Sequence, residues 1–267
     1  MLRLVRRGDR HDPRDLTVSC RFEGAFEPAF TADSLEGLLP GETIKSLVHA
    51  VTRARGEGEL EELGLALATE VFKRQPRMTH VRFELTEHPW QRLEAGGKAQ
   101  AQAFLATSPE QRLAVVTSNG SRVSVVAGIE ELTVMRTAGF APPKRPGEAD
   151  ESGAADRLQP LLVGALSVRW TYTSGGITFG VYRQAIRNAV LDTLAWNRSQ
   201  SVQHMLYTIA DVVLGTCPEI ADVTLRFCER PFRPADLFAA SAQNPDELFV
   251  VVDEPVGVVE VTVERGA

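Results

Sequence analysis

The chain has 267 residues, of which 43% are hydrophobic and 24% charged, and its formal net charge is -6. This composition is typical of a soluble globular protein of one large domain or two smaller ones. The acidic balance argues against nucleic-acid binding, which needs clustered Lys and Arg, and no apolar run approaches the roughly 18 residues of a membrane span.

The first half of the chain begins with a predicted strand, followed by two predicted helices. It ends with a predicted strand that has one buried face and with two further predicted strands. Apolar residues recur in the half-buried strand with period 2 rather than with helical spacing. The residues that carry these patterns are Leu16 to Phe22; Ile44, Leu47, Val48 and Val51; Leu60, Leu63, Leu67 and Val71; Val81, Phe83 and Leu85; Val123 to Val126; and Leu132 to Arg136.

The second half repeats this plan of strand, two helices and strands. The Val-rich alternation of its last strands is typical of a half-buried antiparallel sheet. The residues that carry the patterns are Leu166, Val168 and Trp170; Tyr182, Ile186, Ala189 and Val190; Val202, Met205, Ile209, Val212 and Val213; Val223, Leu225 and Phe227; Leu248, Val250 and Val252; and Val259, Val261 and Val263.

Between the halves, residues 141–158 are predicted to form a linker or loop, because this stretch is rich in Pro, Gly, Ala and charge and shows no periodicity. The sequence therefore predicts one unit over 1–140 and a second over 159–267. Each is expected to be an α+β layer, with helices on one face of an antiparallel sheet. Association could pair the long edges of such sheets and close them into a barrel.

The three cysteines, Cys20, Cys217 and Cys228, show no CxxC spacing, which suits reduced thiols and a cytoplasmic location. The five histidines have no spacing typical of a metal site, so no metal is expected. No glycine-rich nucleotide-binding motif occurs, so no nucleotide cofactor is implied.

Five segments occur in an order and at a spacing that resemble the cofactor-free urate oxidase (uricase) family. They are Arg14-Asp15-Leu16-Thr17-Val18, Glu42-Thr43-Ile44-Lys45, Glu87-His88-Pro89-Trp90, Ser201-Val202-Gln203-His204 and Asp253-Glu254-Pro255-Val256-Gly257. The resemblance implies two tandem tunnelling-fold units per chain and a homotetramer with active sites at subunit interfaces. It also implies a small purine substrate, no cofactor, and O2 as co-substrate.

The resemblance implies four substrate-binding residues. Phe140 matches the phenylalanine on which the purine stacks, Arg157 and Gln203 match the residues that clamp its edge, and Val202 matches a residue whose backbone meets the purine. The chemistry suits these roles. A guanidinium donates two parallel hydrogen bonds to an anionic edge, and a Gln amide both donates and accepts.

The positions that carry the family's chemistry differ. Gly41 stands where the family has its catalytic Thr, and Glu42 where the next residue is Asp. Glu229 replaces the Asn that holds O2 or water, and Pro231 replaces the His of the proton relay. The family's Lys precedes the first strand, whereas this sequence starts within that strand and has no lysine before Lys45.

The sequence keeps the residues that match the family's substrate clamp and changes those that match its catalytic groups. This combination favours a cofactor-independent oxidase or oxygenase that uses O2 on an oxidised purine. Glu229 or Glu42 is the candidate catalytic base, since a carboxylate desolvated above the ring could take a proton near neutral pH. A carboxylate also accepts hydrogen bonds from an amino group, which makes 8-oxoguanine a candidate substrate beside urate. Glu42 could instead be a helix N-terminal carboxylate favoured by the dipole.

Three alternatives stay open. The chain could be an inactive uricase relative that binds a purine or serves as a scaffold. It could be a true urate oxidase with a rewired proton relay through Glu229. More remotely, it could be a pterin-binding member of the wider tunnelling fold, because pterins share the flat edge.

Overall fold

The structure, a computed structural model, describes residues 1–32, 37–106, 108–137, 161–197, 199, 201–237, 247–252 and 257–266. In chain order their elements are β1 (Leu2–Arg7), β2 (Arg10–Gly24), α1 (Glu27–Thr31), α2 (Gly41–Arg55), α3 (Leu60–Arg74), β3 (Met78–His88), β4 (Gln91–Ala95), β5 (Lys98–Leu105), β6 (Gln111–Ser118), β7 (Val123–Arg136), β8 (Leu162–Tyr172), α4 (Phe179–Trp196), α5 (Val202–Thr216), β9 (Ile220–Glu229), β10 (Phe232–Pro234), β11 (Phe249–Val251) and β12 (Val258–Glu264).

The main sheet has the hydrogen-bonded strand order β1-β2-β3-β6-β7-β8-β9-β12. The pairs β1–β2, β2–β3, β3–β6 and β9–β12 are antiparallel. Among the described residues, β1 and β12 end this order and do not pair with each other. The predicted α+β class with antiparallel sheet is confirmed.

The described residues divide into two compact units. The first takes those within 1–129, 169–183 and 219–221, and the second takes those within 130–168, 184–218 and 222–267. The predicted linker 141–158 lies outside the described residues, so the predicted boundaries of the two domains stay a prediction.

In the first unit, helix α3 packs against strands β3 and β6. Its predicted apolar stripe is confirmed, because Leu60, Leu63, Leu67 and Val71 are at most 1% exposed. A capping box starts the helix: the Glu59 side chain accepts from the N3 backbone amide, and the Glu62 carboxylate accepts from the backbone amide of Glu59.

In the second unit, helix α5 packs against strand β12. It buries Met205, Ile209 and Val213 completely, as predicted, whereas Val212, which was predicted on the same face, is 38% exposed. Arg265, just after β12, donates to the carbonyl groups of Leu214 and Cys217 at the end of α5. These bonds satisfy carbonyl groups that the end of a helix leaves without an internal partner.

Alternation of apolar and polar residues does not predict strand β6. Its Leu113, Ala114, Val115 and Val116 are all at most 4% exposed, so side chains on both faces of this central strand are buried. A strand buried on both faces has a continuous apolar run, which periodicity cannot assign to strand or helix.

Two other strand predictions need correction. The predicted strands 123–126 and 132–136 form one strand, β7, in which Glu131 has a φ of 56°. The strand predicted from Leu248, Val250 and Val252 is not half-buried. Its central part, β11, pairs with β10 alone among the residues that the structure describes, and Val250 is 51% exposed.

A half-buried ionic cluster, formed by Arg14, Glu59, Glu87, Arg112 and Arg183, lies in the first unit. Arg14 donates to Glu87 at 2.7 Å, Arg112 donates to both Glu87 and Glu59, and Arg183 lies 3.5 Å from Glu59. Arg14 also donates to the carbonyl groups of Gly56 and Gly58, so the cluster fixes the turn between α2 and α3 to the sheet.

We expect Arg112→Met to lower the free energy of unfolding by about 2 kcal/mol, because it leaves two half-buried carboxylates, those of Glu59 and Glu87, short of a partner. Lys73→Met is the matched control, since Lys73 pairs with Glu70 at the surface, where ion pairs contribute about 0–1 kcal/mol. Urea unfolding at one protein concentration measures both changes. Equal losses in the two variants would contradict the role of the cluster.

Candidate active site

The N-terminus of α5 presents two of the predicted substrate-binding residues, Val202 and Gln203. Ser201 caps the helix, because its hydroxyl accepts from the backbone amide of His204 at 3.2 Å. The side chain of Gln203 is exposed, Val202 is half-buried, and Met205 behind them is completely buried. The apolar face of the helix therefore fixes the orientation in which Gln203 points outward.

The first amide groups of α5 lack acceptors within the helix, as at every helix N-terminus. This end of the helix also carries the positive end of the macrodipole. The arrangement suits a planar anion that offers carbonyl oxygens to the backbone amide groups and an NH–carbonyl edge to the Gln203 amide.

Phe140 and Arg157, the predicted stacking and clamping residues, lie outside the described residues. Their roles stay predictions that follow from the resemblance.

Glu229 is the last residue of strand β9, in the same unit as Gln203. Its backbone amide donates to the carbonyl of Gly257 at 2.9 Å, and a Cβ atom on Gly257 would lie 3.2 Å from Oε2 of Glu229. The half-buried carboxylate therefore lies directly against the backbone of Gly257. No hydrogen bond joins Glu229 to Gln203 among the residues that are described.

The chain around Glu229 is held on both sides. Arg230 donates its backbone amide to Val163 at 2.7 Å, and Pro231 accepts from the amide of Val252 at 3.2 Å. These bonds join the end of β9 to β8 and to the segment after β11. Backbone hydrogen bonds therefore fix the position of Glu229.

Glu42 belongs to the first unit and lies in the first turn of α2. Its side chain is 84% exposed and pairs with Lys45 at 2.8 Å, one turn further along the helix. This is the geometry of a helix N-terminal carboxylate. The described residues of one chain do not bury Glu42, as a base activated by desolvation would require.

Two segments that carry the resemblance, Arg14–Val18 and Glu87–Trp90, meet across β2 and β3. Arg14 bonds to Glu87, and the hydroxyl of Thr17 lies 3.0 Å from Nε2 of His88. These contacts explain the segments as parts of the scaffold. They also give His88 a partner within the sheet.

A buried polar group that sequence reasoning missed is Glu61 in α3, which is 1% exposed. Oε2 of Glu61 has no hydrogen-bond partner among the described residues. Burial raises the pKa of the Glu61 carboxyl, and burial together with the nearby Glu61 raises the pKa of Tyr172. Glu61 does not belong to the predicted apolar stripe of α3, and it lies in a stretch rich in glutamate, from Glu57 to Glu62. The sequence pattern therefore did not predict that it is buried.

The folded state holds the Glu61 proton more tightly than the unfolded state does. Protonated Glu61 therefore stabilises the fold, and this contribution is fully present at low pH. It is lost as the pH rises through the raised pKa. We expect Glu61→Gln to match the unmodified chain near pH 4 and to exceed its unfolding free energy by about 1 kcal/mol at high pH. Denaturant unfolding across this pH range measures the difference, with the exposed Glu27→Gln as control. A difference that does not change with pH would contradict the assignment.

Among the described residues, no three His, Cys, Asp or Glu side chains are grouped so that they could hold a metal ion. The three cysteines are free. None of the helices in the described part of the chain has both the length and the apolar character needed to span a bilayer.

Comparison with known proteins gives one consistent family. The uricase family model matches residues 125–260, which is about half of the chain. The curated uricase of Arthrobacter globiformis is 28% identical over 99% of this chain and 86% of its own length, and that of Danio rerio is 25% identical over 99% and 91%.

Solved structures agree with this. The crystal structure of uricase from Arthrobacter globiformis has a TM-score of 0.86 and 28% identity, and the match covers 99% of this chain and 90% of that chain. A urate oxidase from Bacillus sp. has a TM-score of 0.79 at 16% identity, over 95% and 88%, which supports the fold alone. Taken with the family model that matches half of its length, these findings establish that the chain belongs to the uricase family.

Proposed function

We propose that this protein is a cofactor-independent oxidoreductase that uses O2 to oxidise a urate-like purine, with urate and 8-oxoguanine as the candidate substrates. Membership of the uricase family is the observation that carries the proposal. Uricases are cofactor-independent oxidases that use O2. The similarity of this chain to several uricases supports an enzyme with urate oxidase-like activity.

In the proposed complex, the purine stacks on Phe140, and Arg157 and Gln203 clamp its edge while the backbone at Val202 meets it. The exposed amide of Gln203 at the start of α5 supports this, because the helix N-terminus favours an anionic ring beside it. A stacked, clamped ring is held in one orientation, which is what proton removal and contact with O2 require.

Glu229 is the favoured catalytic base. It is half-buried and fixed at the end of β9, whereas Glu42 is exposed and already paired with Lys45. Loss of a proton makes an 8-oxopurine a strong reductant. The anion then passes two electrons to O2, which takes up two protons and leaves as hydrogen peroxide.

We propose that the active form is a homotetramer with its sites at subunit interfaces. The described residues leave β1 and β12 as the two ends of the main sheet, and unpaired strand edges are surfaces on which further strands pair. Sedimentation equilibrium should then give a tetramer, and dilution to the monomer should remove purine binding and turnover together. A fully active monomer would contradict this arrangement. The cytoplasmic location stays a prediction from the cysteines.

The test of the proposed site is calorimetric titration with urate and with 8-oxoguanine in the absence of O2. We expect one purine bound per chain for at least one of them. Binding without any later O2 uptake would instead support an inactive relative, and peroxide release from urate would support a true urate oxidase. Failure to bind either purine would contradict the proposed function and leave an inactive relative that serves as a scaffold.

A further inference from the structure

A cavity of about 650 Å³ lies in the first unit between strand β1 and helix α2. Its walls are Met1, Leu2, Arg3, Leu4 and Val5 on the strand and His49, Thr52 and Arg53 on the helix. A second cavity of about 340 Å³ shares Met1 and His49 with it and continues along the same helix past Val48 to Lys45. Together they form a groove, called the β1–α2 groove below.

The size of this groove is that of a small-molecule site, since ligand pockets usually span roughly 300–1,000 Å³. The side chains of its sheet side that face the helix include Met1 and Val5, beside Arg3, in the larger cavity and Leu16 and Val18 in the smaller one.

The helix side of the groove is basic. Lys45, His49 and Arg53 follow one another at intervals of four residues, which places them on one face of α2. No Asp or Glu lines either cavity. Lys45 pairs with Glu42, but neither the His49 ring nor the Arg53 guanidinium has an ion pair or hydrogen bond among the described residues.

Thr52, in the same wall, is 2% exposed, and its hydroxyl oxygen has no hydrogen-bond partner among the described residues. A buried hydroxyl without a partner costs free energy and calls for an explanation. Its place between His49 and Arg53 adds a donor next to two unpaired basic groups.

We propose that the β1–α2 groove binds a small organic anion that has an apolar body and one carboxylate or sulfonate group. The apolar body would lie against Met1, Val5 and Leu16, and the anionic group would accept hydrogen bonds from Arg53 and His49. None of the six residues assigned to the purine site lines the groove, so this site goes beyond the proposed function.

The probe for this site is 8-anilinonaphthalene-1-sulfonate, an amphipathic anion that fluoresces when its rings leave water. We expect saturable binding of one probe per chain to the complete protein. The double variant His49→Gln/Arg53→Gln should weaken it about tenfold, the order expected for losing charged hydrogen bonds. Arg55→Gln is the matched control, because Arg55 lies on the same helix and lines neither cavity. Equal affinity in the wild type and the double variant would overturn the proposal, provided that their melting temperatures agree.

Competition defines the ligand class. Octanoate should displace the probe, whereas inorganic phosphate, which lacks an apolar body, should leave it bound. Displacement by phosphate at equal concentration would overturn the organic-anion assignment. Displacement by urate with the affinity measured in the calorimetric titration would show that the probe occupies the purine site, which would overturn the groove while leaving the proposed function intact.

Discussion

Glu229→Gln should lower the rate of purine oxidation by about a thousandfold while leaving purine affinity nearly unchanged. A general base contributes roughly 10²–10⁴ to a rate, and Gln keeps the size and hydrogen-bonding capacity of Glu but cannot take a proton. The side chain lies against Gly257, at the end of a strand whose backbone bonds do not involve its carboxylate. The fold should therefore tolerate the exchange. Single-turnover oxidation under air, with binding measured separately without O2, gives the two quantities.

The matched control is Glu264→Gln, which removes the same charge from the exposed end of β12 and should change neither quantity. Glu42→Gln is the competing variant. If it abolished turnover while Glu229→Gln kept full activity, the base would be Glu42. The Glu42 side chain, which is exposed in the single chain, would then have to become buried in the oligomer.

Gln203→Ala should weaken purine binding about a hundredfold. The proposed amide both donates to and accepts from the ring edge, and hydrogen bonds to a charged partner contribute about 1.5–3 kcal/mol. Because Gln203 is exposed in the first turn of α5 and Ala is a strong helix former, the variant should fold as well as the wild type. Calorimetry without O2 measures the affinity directly.

His204→Ala serves as the control for this variant. His204 is the next residue of the same helix turn, and its side chain points about 100° away from that of Gln203. We expect it to retain its affinity to within about twofold. If His204→Ala lost binding and Gln203→Ala retained it, the placement of the clamp on α5 would be wrong.

Much of the fold was predictable from hydrophobic periodicity. Residues Leu60 to Val71 and Val81 to Leu85 repeat with the helix and strand periods, and all of these periodic residues are buried as expected. Periodicity fails where a strand is buried on both faces, as in Leu113 to Val116, because no alternation is left to detect. It also overstates burial in Leu248 to Val252, where an alternating pattern belongs to a two-stranded hairpin that remains exposed.

The hairpin of β4 and β5 shows another limit. Arg92 holds it by donating to the carbonyl groups of Gln100, Ala101 and His11 and to the carboxylate of Asp12. Its guanidinium also lies over the ring of Phe104, 4.7 Å from the centroid. A single arginine with this many long-range partners leaves no local pattern in the sequence.

The candidate site could be predicted only through the resemblance to the family. Taken alone, Gln203 is an ordinary residue at the start of a helix, and Glu229 ends a strand without any motif around it. The structure adds their orientation and surroundings: an outward amide at a capped helix start, and a carboxylate held against Gly257. The ionic cluster around Arg112 could not be predicted, because its members come from separate segments that only the folded chain brings together.

The most direct test of the central claim is oxygen consumption by the purified protein, without added cofactor, with urate, 8-oxoguanine, xanthine and guanine in parallel. We predict O2 uptake with urate or 8-oxoguanine, no uptake with xanthine or guanine, which lack the 8-oxo group, and loss of uptake in Glu229→Gln. The mass of the product would then identify hydroxylation, ring opening or rearrangement. Folded protein that binds a purine but consumes no O2 with any of the four would contradict an oxidase and leave a purine-binding relative of the uricases.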